Sequence, residues 1–171
     1  MRRLGPLMCV LAFLGCRDPH GTPGTATGTA QAPPTTDAQA LSDWLATGVF
    51  RQWHCEAEPH APRGGSGHTH NRVCSNDTLS AHGDGEFPVD AAGVKELYEG
   101  DDRTLIGYAV YRHVSAGGGG ESWFWYEELG GQLNAVGLGD RNAPRDLCVG
   151  CHRGAGSGGR SGHDFVFTQV R

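Results

Sequence analysis

Apolar positions change their spacing twice along this chain. From Asp37 to Thr47, Ala40, Leu41, Trp44 and Leu45 recur at helical intervals. Asp37 is placed to cap the first turn and Gly48 to stop the last, so the pattern predicts one short amphipathic helix. Between His54 and Gly85 the periodicity fades: five histidines, two prolines and several glycines fill the stretch, which predicts a long loop. After Pro88 the runs Val94 to Tyr98, Leu105 to Val114, Ser122 to Leu129 and Phe165 to Val170 are rich in Val, Tyr, Phe and Trp. Turn-like EGDDR, AGGGGE and GGQLNAVGLGD separate them, so they predict strands of a mostly antiparallel sheet. Val94 to Tyr98 is short enough to fit a helical turn capped by Asp90 as well. Pro144 to His152 reads as a short helix with the proline in its first turn. The class expected is α+β, mainly β: a small antiparallel sheet with a few short helices. A four-helix bundle is disfavoured, because too few segments are long enough to build one.

Composition sharpens this picture. The 171 residues fit one domain, and 28 glycines favour turns and close backbone approach over long helices. The formal charge is −5, with no cluster of Lys or Arg after the first three residues, which argues against a nucleic-acid partner. The one long apolar run is N-terminal, MRRLGPLMCVLAFLGC, and reads as an export signal rather than a membrane span. Its ending, Phe13-Leu14-Gly15-Cys16, resembles a bacterial lipobox with Phe13 where Leu is usual, so residues 1–15 are expected to be removed and Cys16 to carry a lipid. A plain cleaved signal is the alternative, and both export the chain. Loss of Arg2 and Arg3 takes the formal charge from −5 to −7. Residues 16–39, rich in Gly, Thr, Ala and Pro, read as a flexible tether, and 40–171 as the folded domain. The expected place is the periplasm, anchored to a bacterial membrane, with the outer membrane favoured.

Six cysteines divide by position. Cys9 leaves with the signal, Cys16 is the lipid site, and Cys148 and Cys151 belong to CVGCH. Cys55 and Cys74 remain, and an oxidising compartment favours a disulfide between them over two separate thiols. CVGCH matches the C-x-x-C-H attachment sequence for haem c. Two thiols add to the vinyl groups along one porphyrin edge, and the adjacent His152 ligates the iron from below. A thioredoxin-like motif would need a βαβ context that is missing here. Zinc would need a second ligand pair, and His113 and His163 lack that spacing.

The other iron ligand is constrained by composition. Met1 and Met8, the two methionines of the chain, both lie in the signal, so a mature His/Met haem is excluded. Another His, a Lys, an oxygen ligand or nothing is left for the sixth position. Iron that is five-coordinate or weakly six-coordinate is therefore expected, which suits small-molecule chemistry better than simple electron carriage.

The pieces GVKELY, GYAVYRHV, SWFWYEEL, DLCVGCH and HDFVFT, in that order, resemble the cytochrome P-460 family and the related beta-type cytochromes c-prime. The resemblance covers about Pro88 to Val170, and more loosely Trp53 to Asn76. It implies a β-rich exported monohaem protein, often a homodimer, with a proximal histidine and a distal pocket open to small ligands. Cytochrome P-460 members oxidise hydroxylamine and carry a lysine cross-linked to the porphyrin; the beta-type cytochromes c-prime lack the cross-link and bind gases such as nitric oxide. By position, Cys148 and Cys151 would hold the haem, His152 would ligate iron, and Lys95, the sole lysine of the chain, would be the cross-link candidate.

Oxidation of an N–OH group also calls for an acid or base on the distal side. Glu127, Glu128 and His113 lie on predicted strands, and alternation allows at most one of the two glutamates into a pocket. The bland alternatives are a solvated strand end for the glutamates and a buried sheet residue for His113. His68-Thr69-His70, with His54 or His60, suggests copper or zinc binding, against which stand the flexible glycines around it; a solvated polar loop is the default, and a distal sixth iron ligand from it, His54, His68, His70 or His82, is the exception. The Trp123 to Tyr126 aromatics are expected to pack the sheet and the haem. Three functional classes follow: a haem oxidoreductase for a small nitrogen compound, a nitric-oxide-binding haem protein, and an electron-transfer lipoprotein with a redox partner protein.

Overall fold

The computed structural model describes residues 31–63, 66–100 and 103–171. The export signal, Cys16 and most of the tether lie outside the described residues. The expected helix forms as α1, Ala38–Thr47. Asp37 caps it by accepting from the Ala40 amide at 2.8 Å, and Gly48 ends it in the left-handed region at φ 68°. Before the helix, the Pro33 carbonyl accepts from Arg112 Nη1 at 2.7 Å, so chain read as tether touches the sheet.

Six strands form one open antiparallel sheet in sequential order. They are β1 (His54–Cys55), β2 (His70–Ser75), β3 (Ala92–Tyr98), β4 (Leu105–His113), β5 (Trp123–Leu129) and β6 (Gln132–Leu138). β3, β4 and β5 are the first three expected strands, and the helical alternative for Val94 to Tyr98 is not taken. The fold is thus α+β and mainly β, with few short helices.

Three expectations need correction. The segment from His54 to Gly85 is not all loop: it holds β1, β2 and the one-turn α2, Asp77–Ser80. β2 was hidden because its buried positions include polar Asn71 and Ser75 beside Val73 and Cys74. GGQLNAVGLGD is not a turn throughout. Gly130 and Gly131, at φ 60° and 76°, make a tight hairpin, and the rest is β6. Phe165 to Val170 is not a strand, because Asp164 and Phe165 sit at φ 40° and 66° and the chain makes only an isolated bridge between His163 and Val166. The expected C-terminal helix is a π turn, Pro144–Val149, running into α3, Gly150–His152.

Period-two alternation divides the sheet into two faces. One face packs on α1: Leu41, Trp44, Leu45 and Phe50 bury against Cys74, Val94, Val110, Phe124 and Tyr126. Here Glu96, fully buried, accepts from Arg51 Nε at 2.8 Å and from the Tyr98 hydroxyl at 3.0 Å, with Arg72 Nη1 3.5 Å away. The opposite face packs on the C-terminal segment through Leu79, Phe87, Tyr111, Trp123, Trp125 and Val166, with Cys148 and Val149 against them. Cys55 and Cys74 are opposed in the β1/β2 register and joined as a disulfide, the pairing expected from the sequence.

Candidate functional site

A cavity of about 510 Å³ opens between this second face and the C-terminal segment. Its floor follows from register. Val73, Lys95, Ala109, Glu127 and Ala135 are consecutive partners across β2 to β6, so they share one row and one face. Lys95 and Glu127 both line the cavity, two strands apart, with only the methyl of Ala109 between them. One row on, Tyr111 lies across Gly93: a Cβ there would fall 2.4 Å from the phenol oxygen, so glycine is what lets the ring lie flat.

The CVGCH segment is fastened to the same face by Val149. Val149 methyls pack where Gly120 and Gly139 lack side chains; a Cβ at either position would meet them at 2.4 and 2.5 Å. Docked in this way, the segment brings Cys148, Cys151 and His152 to the cavity wall together, and both thiols are free. His152 Nδ1 donates to the Phe165 carbonyl at 2.7 Å. A carbonyl only accepts, so the bond fixes the tautomer and leaves Nε2 with its lone pair. The ring is held by Trp125 at 4.8 Å, Phe167 at 5.3 Å and Tyr111 at 6.1 Å between centroids.

The carbonyl is aimed by an unusual backbone. A phenylalanine at φ 66° is costly. The turn is held by the paired His163 and Val166 amides and carbonyls, at 3.1 and 2.8 Å, and by Asp164 Oδ2 accepting from the Phe87 amide at 2.8 Å. Strain concentrated beside a candidate ligand is the pattern expected of a functional turn.

Burial sets the charges. It pushes the His152 imidazolium down to about 4, so the ring is neutral at physiological pH. It holds the Cys148 thiol up at about 12. It lowers the Lys95 ammonium from 10.5 to about 8, against the opposing pull of Glu56 and Glu127. Glu127 is held below the usual carboxylate range, chiefly by His68, whose Nδ1 lies 3.3 Å from Oε2, and then by Asn134.

Of the residues expected at the site, Lys95, Glu127, Cys148, Cys151 and His152 come together on one cavity. Glu128 does not join them: it takes the Tyr126 hydroxyl at 3.0 Å on the helix face, as alternation requires. His113 is buried outside the cavity lining, bonded to Ser122 Oγ at 3.1 Å and 4.8 Å from the Trp123 ring. The histidines of the 54–85 segment do not converge. His54 meets Asp77, His60 meets Glu56, and among the described residues no group of three or more His, Cys, Asp or Glu side chains could hold a metal ion. The reading of the sequence left His68 as one of several loop histidines able to reach the iron, and it missed the Phe165 carbonyl and the basic pair Arg63 and Arg160 on the cavity lining. The only prior signal for these was the HDFVFT piece, whose backbone role a side-chain pattern does not carry.

No family model, no curated protein and no solved structure matches this chain.

Proposed function

We propose that the chain is an exported c-type haem protein, with one haem joined to Cys148 and Cys151 and ligated by His152, that acts on a small nitrogen compound such as hydroxylamine or nitric oxide. The observation that carries the proposal is the His152 imidazole: neutral, fixed through Nδ1 to a backbone carbonyl, with Nε2 free beside two unpaired thiols. An axial haem histidine needs that tautomer and that second partner. The cavity volume lies within the range of cofactor sites, and its mix of aromatic wall and basic rim suits a flat apolar ring with carboxylate tails.

When bound, the haem supplies a redox-active iron; the chain supplies the surroundings. Trp125, Tyr111 and Phe167 keep water from His152. Glu127, ionised, offers a hydrogen-bond acceptor to an N–OH group and a place for its proton. With its ammonium lowered to about 8, roughly a tenth of Lys95 is neutral at pH 7. That fraction gives the lysine the nucleophilic character a cross-link would need; replacing a porphyrin C–H by C–N would also consume a two-electron oxidant such as hydrogen peroxide, which takes up the two electrons and two protons released.

Haem staining after denaturing electrophoresis tests the attachment. Colour is expected to stay with the wild-type chain and to vanish in the Cys148→Ala, Cys151→Ala double variant; staining unchanged by both substitutions refutes the proposal. Lys95 separates turnover from ligand binding alone. Intact mass and tryptic peptides report whether it is joined to haem. A free Lys95 peptide, an ordinary haem c spectrum and no hydroxylamine oxidation with an artificial acceptor leave nitric oxide binding as the function.

A further inference from the structure

Two histidines of the described residues line the cavity, His152 and His68. Their rings lie 6.3 Å apart between centroids with planes inclined at 74°. Two imidazoles bound on opposite sides of one metal, each by a bond of about 2.0 Å, bring their ring centres to roughly 6.4 Å. Both rings are also committed in the same way. His152 Nδ1 is taken by the Phe165 carbonyl and His68 Nδ1 lies 3.3 Å from Glu127 Oε2, so in each case Nε2 is the nitrogen left for a metal.

The described chain around His68 is anchored. The Cys55–Cys74 disulfide closes its base. Above it, Glu56 binds the Val73 amide at 2.8 Å, His60 Nε2 at 3.0 Å and the Arg63 guanidinium. The His68 amide donates to Ser66 Oγ at 3.2 Å. Other histidines are engaged elsewhere: His54 with Asp77, His60 with Glu56, His113 with Ser122, and His82 and His163 against Phe87.

Resting on the haem reading above, we propose that His68 is the sixth ligand of the iron when no exogenous ligand is present, with Glu127 as the residue that positions it. A small nitrogen ligand or carbon monoxide then binds by displacing His68 Nε2, and the freed imidazole stays beside Glu127 at the edge of the pocket. This revises the open-site expectation drawn from the missing methionine, because the loop supplies what the sequence around CVGCH does not.

The test uses the haem-loaded full chain. Near-infrared magnetic circular dichroism and electron paramagnetic resonance of the ferric wild type are expected to show a low-spin iron with two imidazole ligands. His68→Ala is expected to turn it high-spin and to speed carbon monoxide binding to the reduced protein by about tenfold or more, since a competing internal ligand lowers apparent affinity by the fraction of sites it leaves open. A high-spin wild type overturns the proposal, as does a histidine–amine signature implicating Lys95 or a low-spin spectrum that survives His68→Ala. Should His68→Ala not load haem, His68→Met takes its place, and a bis-imidazole spectrum that survives this substitution overturns the proposal equally. A wild-type chain recovered without covalent haem instead refutes the haem reading.

Discussion

Lys95 tests the electrostatics of the cavity directly. Replacing it with Met keeps the length of the stem and removes an ammonium that the site destabilises. The folded state lowers this group from 10.5 to about 8, and at about 1.4 kcal/mol per pKa unit the buried charge costs about 3 kcal/mol at pH 7, less whatever the open side of the cavity screens. The sign follows from proton counting. Below pH 8 the lysine is charged in both the folded and the unfolded chain, and the penalty is complete. Between pH 8 and 10.5 the unfolded chain holds more protons, so the stability of the wild type rises with pH; above 10.5 both states are neutral and the penalty is gone. Lys95→Met is therefore expected to be more stable than its parent by about 3 kcal/mol at pH 7 and by only about 1 kcal/mol at pH 10. The comparison belongs in a Cys148→Ala, Cys151→Ala background, which takes away the proposed haem attachment and the free thiols that would shuffle the disulfide at high pH. Urea unfolding followed by tryptophan fluorescence reads it. A stability gap that is the same at both pH values, or a wild type that is the more stable at pH 7, refutes the reasoning.

Other expectations follow from the same packing. Replacing both Cys55 and Cys74 with Ala opens a loop with a sequence separation of 19 and should lower unfolding stability by about 3 kcal/mol on the loop-entropy relation, measured by urea midpoints of the oxidised parent and the variant. Glu96→Ala takes a buried carboxylate from Tyr98 and from the part-exposed Arg51 and Arg72 guanidinium groups and should cost about 1.5–3 kcal/mol in lost charge-assisted hydrogen bonds, whereas Glu128→Ala, at a partly exposed strand end, should cost under about 1 kcal/mol; thermal melts rank the two. Glu56 is held below its ordinary carboxylate range although burial opposes this, because Arg63, the Val73 amide and His60 together outweigh it. Its contribution is present above its unfolded value near 4.5 and is lost as pH falls through the lower folded value. The stability difference between the wild type and Glu56→Gln should therefore shrink in acid titrations below about pH 4.5.

How much of this was legible in the sequence depended on whether a residue acts by its side-chain pattern or by its backbone. α1 was readable because Asp37, the Leu41 to Leu45 stripe and Gly48 each carry one local signal, and all three agree. The Lys95 face was readable from alternation alone, with Val94 and Glu96 turned to the helix side. β6 was not, because the glycines flanking Gln132 to Leu138 look the same whether they end a strand or fill a loop; only pairing with β5 decides, and that is a tertiary matter. The HDFVFT segment misled for the opposite reason. Its apolar alternation is real, but Phe165 and Phe167 serve the His152 ring and not a sheet neighbour.

The site itself follows from a division of labour that the sheet enforces. Any strand crossing the middle of this sheet must send alternate residues to α1 and to the CVGCH segment, so a single polar row cannot serve both sides. The chain resolves this with two carboxylates two strands apart, on β3 and β5, that face opposite sides of the sheet. Glu96, turned toward α1, is buried among Arg51, Arg72 and Tyr98 and acts as a structural anchor. Glu127, turned the other way, meets His68 and Asn134 and keeps a face on the cavity. The same rule separates Lys95 from Glu96, though they are adjacent in sequence, and it sends Glu128 away from Glu127. What makes the second face chemically available is the absence of bulk: Ala109 lies between Lys95 and Glu127, Gly93 lies under Tyr111, and Gly120 and Gly139 receive Val149. A larger side chain at Ala109 would fill the floor between the two charged groups without disturbing the α1 core. That position is where the volume of the cavity, and so the size of what it admits, is set.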